Sequence, residues 1–327
     1  MNQKDCLISI CIAAYNVERY IEDCVKSVLG QTYSNIEILI IDDGSKDNTG
    51  IIIDNYIGVD DRIRVIHKEN GGLGSVRNIS ISESKGEYLL MIDGDDYLTP
   101  EMVEIMYKAI LKNTADICIC DYFIDEIKQS CSFHKEKVLL KDEFMPLILT
   151  DDIQSVAWNK LIRRECLDNV LFPSTIVQDI AVMHKVFNNA NRIVLLSDKL
   201  YVYRDSLFIN PNNITNGSAS RFESSYYRAL YFDDRLIYAS EQYKSCTSVL
   251  TNKVAGFLCA AYLKAVHEKN HYIEREEIKL RLKELLDRRD AGFHLSIKNK
   301  VVVFIILYVS LLVPITSSLY MKKRYKI

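Results

Sequence analysis

Three carboxylates fall within four residues at Asp93, Asp95 and Asp96, in the stretch MIDGDDYL, directly behind the apolar run EYLLMI. Like charges packed this closely repel and need a compensating charge. Asp93 and Asp95 lie two apart, so an extended backbone turns both side chains to one side. A hard divalent cation, Mg²⁺ or Mn²⁺, suits such a pair. These ions take one or two carboxylates and complete their shell with substrate phosphates. The structural alternative is that Asp95 and Asp96 cap a helix beginning near Pro100. That accounts for one carboxylate better than for three, and leaves Asp96 the one for the local fold.

Two further stretches carry chemistry. In IDDGSKDNTG, residues 41–50, Asp42 and Asp43 end an apolar segment and Gly44-Ser45 turns the chain away. Asp, Gly and Ser are ordinary turn residues. Beside a nucleotide, however, a carboxylate here accepts hydrogen bonds from a base N–H and from ribose hydroxyls. In NGGLGSVRN, residues 70–78, three glycines precede Arg77. The Lys-Ser/Thr ending of a P-loop is missing, and so is G-x-G-x-x-G. Glycines that let backbone approach a ligand, with Arg77 facing phosphate or base, fit a nucleotide site. The alternative is a helix-entry loop with a surface arginine.

These residues need a frame to bring them together. Apolar segments at 7–13, 36–42, 63–67, 87–93 and 116–123 read as buried strands. Between the first two, Val17, Tyr20, Ile21, Cys24, Val25, Val28 and Leu29 recur at helical spacing, and Gly30 follows as a stop. Thr99-Pro100-Glu101 opens another helix, with Val103, Met106, Tyr107 and Ile110 on its apolar side. Strands that are apolar throughout and joined by helices predict an α/β fold with a mostly parallel sheet covered on both faces. Ligands of such sheets bind beyond the carboxyl ends of the strands. Tyr15-Asn16, Asp42-Asp43, Asn70 and the 93–96 cluster all stand there. Residues 157–167 and 177–187 read as strand-to-helix pieces, 200–206 as a short strand, and 220–289 as helices.

The ordered set SICIAAYNVERYI, IDDGSKDNT, NGGLGSVRN and IDGDDYL resembles the family 2 glycosyltransferases, which have the GT-A fold. WNKLIRRECL, the acid at Gln178-Asp179 and YVYRDS extend the resemblance over residues 5–215. It implies transfer of a sugar from a nucleotide donor, a UDP-sugar, with inversion at the anomeric carbon. Tyr15, between Ala14 and Asn16, would lie against the uracil face, and Asp43, beside Asp42, would bind the base. Arg77 and Asp93 would contact nucleotide or donor sugar, with Asn70 and Gly94 in the same donor set. Asp95 would hold the cation on the diphosphate, and Asp179 would be the catalytic base. Two positions depart from the family pattern. Gln178 stands where a glutamate is common, and Ala13 where a proline is usual.

The chain has 327 residues, 48% hydrophobic and 26% charged, so a folded core is expected. A net charge of −3 gives no whole-protein drive toward nucleic acid or anionic lipid. The nine cysteines contain no C-x-x-C pair and read as free thiols in a reducing cytoplasm. MNQKDCLISI runs straight into a strand pattern without signal-peptide architecture, so the sequons at Asn213 and Asn216 carry no weight. HEKNH, residues 267–271, fits a zinc-protease pattern but looks like a polar helix end and offers no third ligand. Residues 275–289 read as a surface helix with i,i+4 ion pairs.

Residues 301–320 carry no charge and are flanked by Lys298, Lys300, Lys322, Lys323, Arg324 and Lys326. Such a run either spans a bilayer or anchors shallowly on anionic headgroups. A buried helix or an oligomer contact is the alternative. The expected organisation is a GT-A domain at 1–215, a helical region at 216–296 and a membrane-associating segment at 297–327. The expected partners are a nucleotide-sugar donor, a saccharide or lipid-linked saccharide acceptor and a membrane surface, at the cytoplasmic face of a bacterial membrane. A sugar nucleotidyltransferase is the weaker alternative, because AAYNVERY offers no triphosphate cradle. An inactive sugar-binding scaffold is the other, against which Asp93, Asp95 and Asp179 count.

Overall fold

The computed structural model describes residues 6–124, 128–129, 135–204, 222–287, 295–309 and 312–325. Strand β1 (Ile8–Ala14) is apolar at nearly every position because both of its faces are covered. Ile8, Ile10 and Ile12 face one side, with Ile38 and Ile40 of β2 (Ile36–Asp42) and Leu90 and Ile92 of β4 (Tyr88–Asp93). Helices α1 (Ile21–Leu29) and α4 (Met102–Asn113) press Ile21, Val25, Val103 and Met106 onto that side. Cys11, Leu39 and Ile41 face the other way and meet Val76 of α3 (Gly72–Glu83). The period of two along each strand thus feeds two apolar layers. The short helix α2 (Thr49–Asp54) and edge strand β3 (Ile63–His67) complete this half.

The remaining strands are β5 (Tyr97–Leu98), β6 (Ile117–Ile124), β7 (Lys128–Gln129), β8 (Lys137–Leu140), β9 (Lys160–Arg163) and β10 (Arg192–Tyr203). They form one sheet in the order β3-β2-β1-β4-β9-β6-β10-β5, with β7 on β6 and β8 on β10. The block β3-β2-β1-β4 is parallel, and β6 is parallel to β10. Most paired residues therefore lie in parallel ladders, as expected. The second half is mixed, however, because β9 enters between β4 and β6 antiparallel to both. The strand of the 157–167 piece is only four residues long and passes into a 3₁₀ turn, Arg164–Leu167. The short strand expected at 200–206 is the end of the twelve-residue β10. Its polar middle, Ser197-Asp198-Lys199, interrupts the apolar run where the register to β6 shifts. Helix α5 (Lys141–Leu149) follows β8, and α6 (Gln178–Asn188) precedes β10.

The chain divides into two compact units, one of residues 1–145 with 155–211 and one of residues 146–154 with 212–327. The second holds helices α7 (Phe222–Gln242), α8 (Thr247–Glu268), α9 (Tyr272–Asp287), α10 (Ile297–Tyr308) and α11 (Val313–Tyr325). Arg235 of α7, fully buried, donates to the Ile148 carbonyl at 2.9 Å and lies 3.8 Å from Asp151. These contacts tie residues 146–154 to the helices. On α9, Ile278, Leu282 and Leu285 turn inward, while Arg281 bridges Glu277 (3.2 Å) and Asp233 of α7 (3.1 Å). Helix α8 ends at Glu268, so His267 and His271 do not share one helical face; His271 stacks on Phe222 instead.

The uncharged run 301–320 is divided between α10 and α11. Both pack with the helices before them in one compact unit. Among the described residues, the helical segment long and apolar enough to cross a membrane is Lys244–Glu268, and 67% of its most apolar window is buried among its neighbours. Asn213, Asn216 and the Asp205-Ser206 end of the YVYRDS stretch lie outside the described residues.

Candidate functional site

The carboxyl ends of β1, β2, β3 and β4 lie side by side, and their loops are stitched together. Asp43 N–H donates to the Ala14 carbonyl and Gly94 N–H to the Ala13 carbonyl, at 2.9 and 2.8 Å. After β1 the chain turns through Asn16 at φ 52°, a left-handed conformation that asparagine tolerates. The Asn16 side chain accepts from Lys46 N–H at 2.8 Å, and its own N–H donates to Ser45 Oγ at 3.0 Å. Val17 N–H reaches Thr49 Oγ1 at 2.9 Å. Ala14 is buried, and the neighbouring Tyr15 ring is 38% exposed at the rim.

Asp42 and Asp43 are both buried but serve different neighbours. Asp42 accepts from Ser45 N–H (3.0 Å) and meets His67 Nδ1 (2.9 Å); His67 Nε2 lies 2.9 Å from Asp54. The Asp43 carboxylate accepts from Gly71 N–H (2.9 Å), Gly72 N–H (2.8 Å) and Lys68 Nζ. Asn70 Nδ2 donates to the Asp43 carbonyl at 3.0 Å. The glycine loop is thus hung from Asp43, and a side chain at Gly44 (φ +73°) would meet Asn70 N at 2.9 Å. Gly74 is needed for closeness, since a Cβ there would overlap the Pro173 carbonyl oxygen.

The hydrogen bonds to Asp42 and then Asp54 raise the pKa of His67. For Asp42, burial pulls upward, but hydrogen bonds from Ser45 and His67 bring the net shift below the usual carboxylate value. The His67 contribution to stability is therefore complete below its unfolded value of about 6.5 and is lost as pH rises through the raised folded value. The Asp42 contribution is present above about 3.9 and is lost as pH falls through its lowered value. We expect the melting-temperature difference between the wild type and His67→Gln to be largest near the acid side of neutrality and to shrink as pH rises. A difference constant across that range would contradict the ion-pair assignment.

Arg77, on the first turns of α3, is 2% exposed and lies over the Phe172 ring at 5.6 Å. Its guanidinium lies 3.7 Å from the Asp93 carboxylate and pairs directly with Asp179. Burial pulls the Arg77 pKa down, and the Asp93 charge opposes it. Burial pushes the Asp93 carboxyl up, and Arg77 opposes that. Asp179 occupies the first turn of α6, whose entry passes through Val177 at φ 57°. One buried cation therefore joins the end of β4 to the start of α6. The helix-entry part of the structural alternative is correct, but Arg77 is not a surface arginine.

The third carboxylate of the cluster behaves differently. Asp96, 1% exposed, accepts from Tyr201 Oη at 2.5 Å and from Arg204 N–H at 2.8 Å. Arg204 also donates to the Asp95 carbonyl (3.2 Å) and to Asp23 (3.0 Å), and lies over the Tyr97 ring at 4.7 Å. Asp96 serves the local fold, but not as a helix cap: α4 has Glu101 at its N-cap and no side-chain cap bond. Burial, followed by the charges of Asp95 and Asp93, holds the Asp96 pKa well above the usual range.

Residues 9–172 match the model of glycosyl transferase family 2. The chain belongs to that family. The transferase is 36% identical to glycosyltransferase GlyG of Streptococcus pneumoniae serotype 4 over 215 residues, covering 61% of this chain and 70% of GlyG. It is 35% identical to the B. subtilis glycosyltransferase EpsJ over 229 residues, covering 64% of this chain and 63% of EpsJ. In fold it matches residues 1–349 of S. aureus TarS in complex with UDP-GlcNAc, at a TM-score of 0.64 and 19% identity. That match covers 98% of this chain and 91% of the TarS chain.

Sequence spacing brought forward Asp93, Asp95, Asp43 and Arg77, but not the residues that hold them. His67 ends β3 and Lys68 follows it, at the carboxyl-end position that marked the other site loops. Tyr201 and Arg204 lie inside the YVYRDS stretch. Among the described residues no three His, Cys, Asp or Glu side chains are arranged to hold a metal ion. The donor set still fits a divalent cation shared with phosphates, which needs only one or two carboxylates. Burial first, and then the neighbouring charges of Asp95 and Asp93, raise the pKa of Asp96.

Proposed function

We propose that the transferase moves a sugar from a UDP-sugar to a hydroxyl of a saccharide acceptor, lipid-linked, with inversion at the anomeric carbon. The pathway class would be capsule, exopolysaccharide or O-antigen synthesis at the cytoplasmic face of a bacterial membrane. The observation that carries this reading is the Arg77 pairing with both Asp93 and Asp179. It draws a donor-side carboxylate and a candidate base to one cation at the open end of a parallel sheet.

Tyr15, with Ala14 and Asn16, forms the rim against which the uracil would stack. Asp42 and Asp43, with Asn70, hold the loops that face base and ribose. Asp93 and Gly94 line the sugar side. Asp179 takes the proton of the acceptor hydroxyl as that oxygen bonds the anomeric carbon and the carbon–oxygen bond to the diphosphate breaks. Mg²⁺ or Mn²⁺, held through Asp95, would supply positive charge to the departing diphosphate.

A donor screen against a lipid-linked acceptor pool tests this. We expect one UDP-sugar to give UDP release that stops on chelation and returns with Mn²⁺ or Mg²⁺. Release that ignores chelation would overturn the role of Asp95. Pyrophosphate release from a nucleoside triphosphate would replace transfer by nucleotidyl chemistry.

A further inference from the structure

Helices α10 and α11 each have one side already packed. Val303 and Ile306 of α10 and Val313, Ser317 and Met321 of α11 are buried. Ser317 Oγ donates to the Leu263 carbonyl of α8 at 2.6 Å, and Asn299 Nδ2 to the Asn252 carbonyl at 2.9 Å. The opposite sides are apolar as well, yet open. On α10, Ile297, Val301, Phe304 and Tyr308 recur every three or four residues, and Ile297 is 82% exposed. Leu312, Ile315 and Leu319 continue the pattern at α11, Leu319 being 62% exposed.

Charge selects the occupant. Residues 291–327 hold six Lys or Arg and no Asp or Glu, in a chain of net charge −3. Lys298, Lys300, Lys322 and Lys323 are exposed beside the apolar stripes. A second copy would bring like-charged flanks together, whereas an anionic headgroup layer neutralises them. The helices are too short to span. At 1.5 Å per residue they extend about 18 and 20 Å, against a hydrocarbon core of about 30 Å. We propose that α10 and α11 lie in the plane of an anionic bilayer, with the apolar stripes in the acyl boundary and the four lysines on the phosphates. This deepens the membrane part of the proposed function and rests on no donor or base assignment, so a chain that moves no sugar would still bind lipid.

Vesicle flotation of the full chain is the test, with phosphatidylcholine alone and mixed with phosphatidylglycerol. We expect binding to the anionic vesicles and release by alkaline carbonate. Phe304→Ser/Ile315→Ser/Leu319→Ser and, separately, Lys298→Gln/Lys300→Gln/Lys322→Gln/Lys323→Gln should each weaken binding by about tenfold or more. Both replace exposed side chains, so an unchanged melting temperature shows that they fold. Equal flotation on neutral vesicles, resistance to carbonate, no binding by the wild type, or a dimer dissociated by the first variant would each overturn the proposal.

Discussion

Asp179→Asn is expected to lower turnover by about 10²–10⁴-fold, the range supplied by a positioned general base, with UDP affinity nearly unchanged. The amide keeps the shape of the side chain in the first turn of α6 and removes the lone pair that would take the acceptor proton. Single-turnover sugar transfer and calorimetric UDP binding separate the two effects. Loss of the Arg77 pair lowers stability in either case, so donor affinity and the pH profile decide. A merely structural Asp179 would lose donor affinity along with rate. A catalytic one keeps donor affinity and loses rate together with the acid limb of the rate–pH profile. Full transfer activity in the variant would end the base assignment.

Arg77→Met should cost about 3 kcal/mol of stability, the low end for breaking a buried ion pair. The low end applies because the partner side chains keep 26% (Asp93) and 16% (Asp179) of their surface exposed. Methionine fills much of the space over Phe172 but leaves Asp93 and Asp179 without their shared cation. Thermal denaturation reads the loss, and a double-mutant cycle apportions it. If the Arg77–Asp179 pair carries the energy, Asp179→Asn should destabilise the Arg77→Met background less than it does the wild type. Strict additivity would show that the pairing contributes nothing. Transfer should fall as well, because the same guanidinium orients the candidate base.

The parallel half of the fold was legible because β1, β2 and β4 are buried on both faces, so unbroken apolar runs marked them. β9 was not separable from its surroundings, since four residues, Lys160–Arg163, carry too little pattern to announce an antiparallel neighbour. β10 looked short because Ser197-Asp198-Lys199 interrupts it at a register shift.

At the site, residue type and position past a strand end brought out the carboxylates. Their partners were hidden because the contacts are distant in sequence. Asp43 and Gly72 are 29 residues apart, and Asp96 and Tyr201 are 105. The cluster was read as wanting a divalent cation. The structure adds the Arg77 guanidinium against Asp93, the Arg204 guanidinium on the Asp95 carbonyl and the Arg204 backbone N–H on the Asp96 carboxylate, so part of the compensation is built into the protein.

Residues 146–154 belong with the helices, while the chain on either side belongs with the sheet. The polypeptide therefore passes between the two units more than once. A truncation after residue 215 would take Arg235 away from the carbonyl of Ile148 and the carboxylate of Asp151. The same holds for gene shuffling. A recombination that exchanged only the C-terminal segment would import an arginine shaped for another chain's residues 146–154. Diversification of the helical unit in this lineage should therefore proceed by point substitution, or by swaps that carry the segment 146–154, the end of α5 included, along.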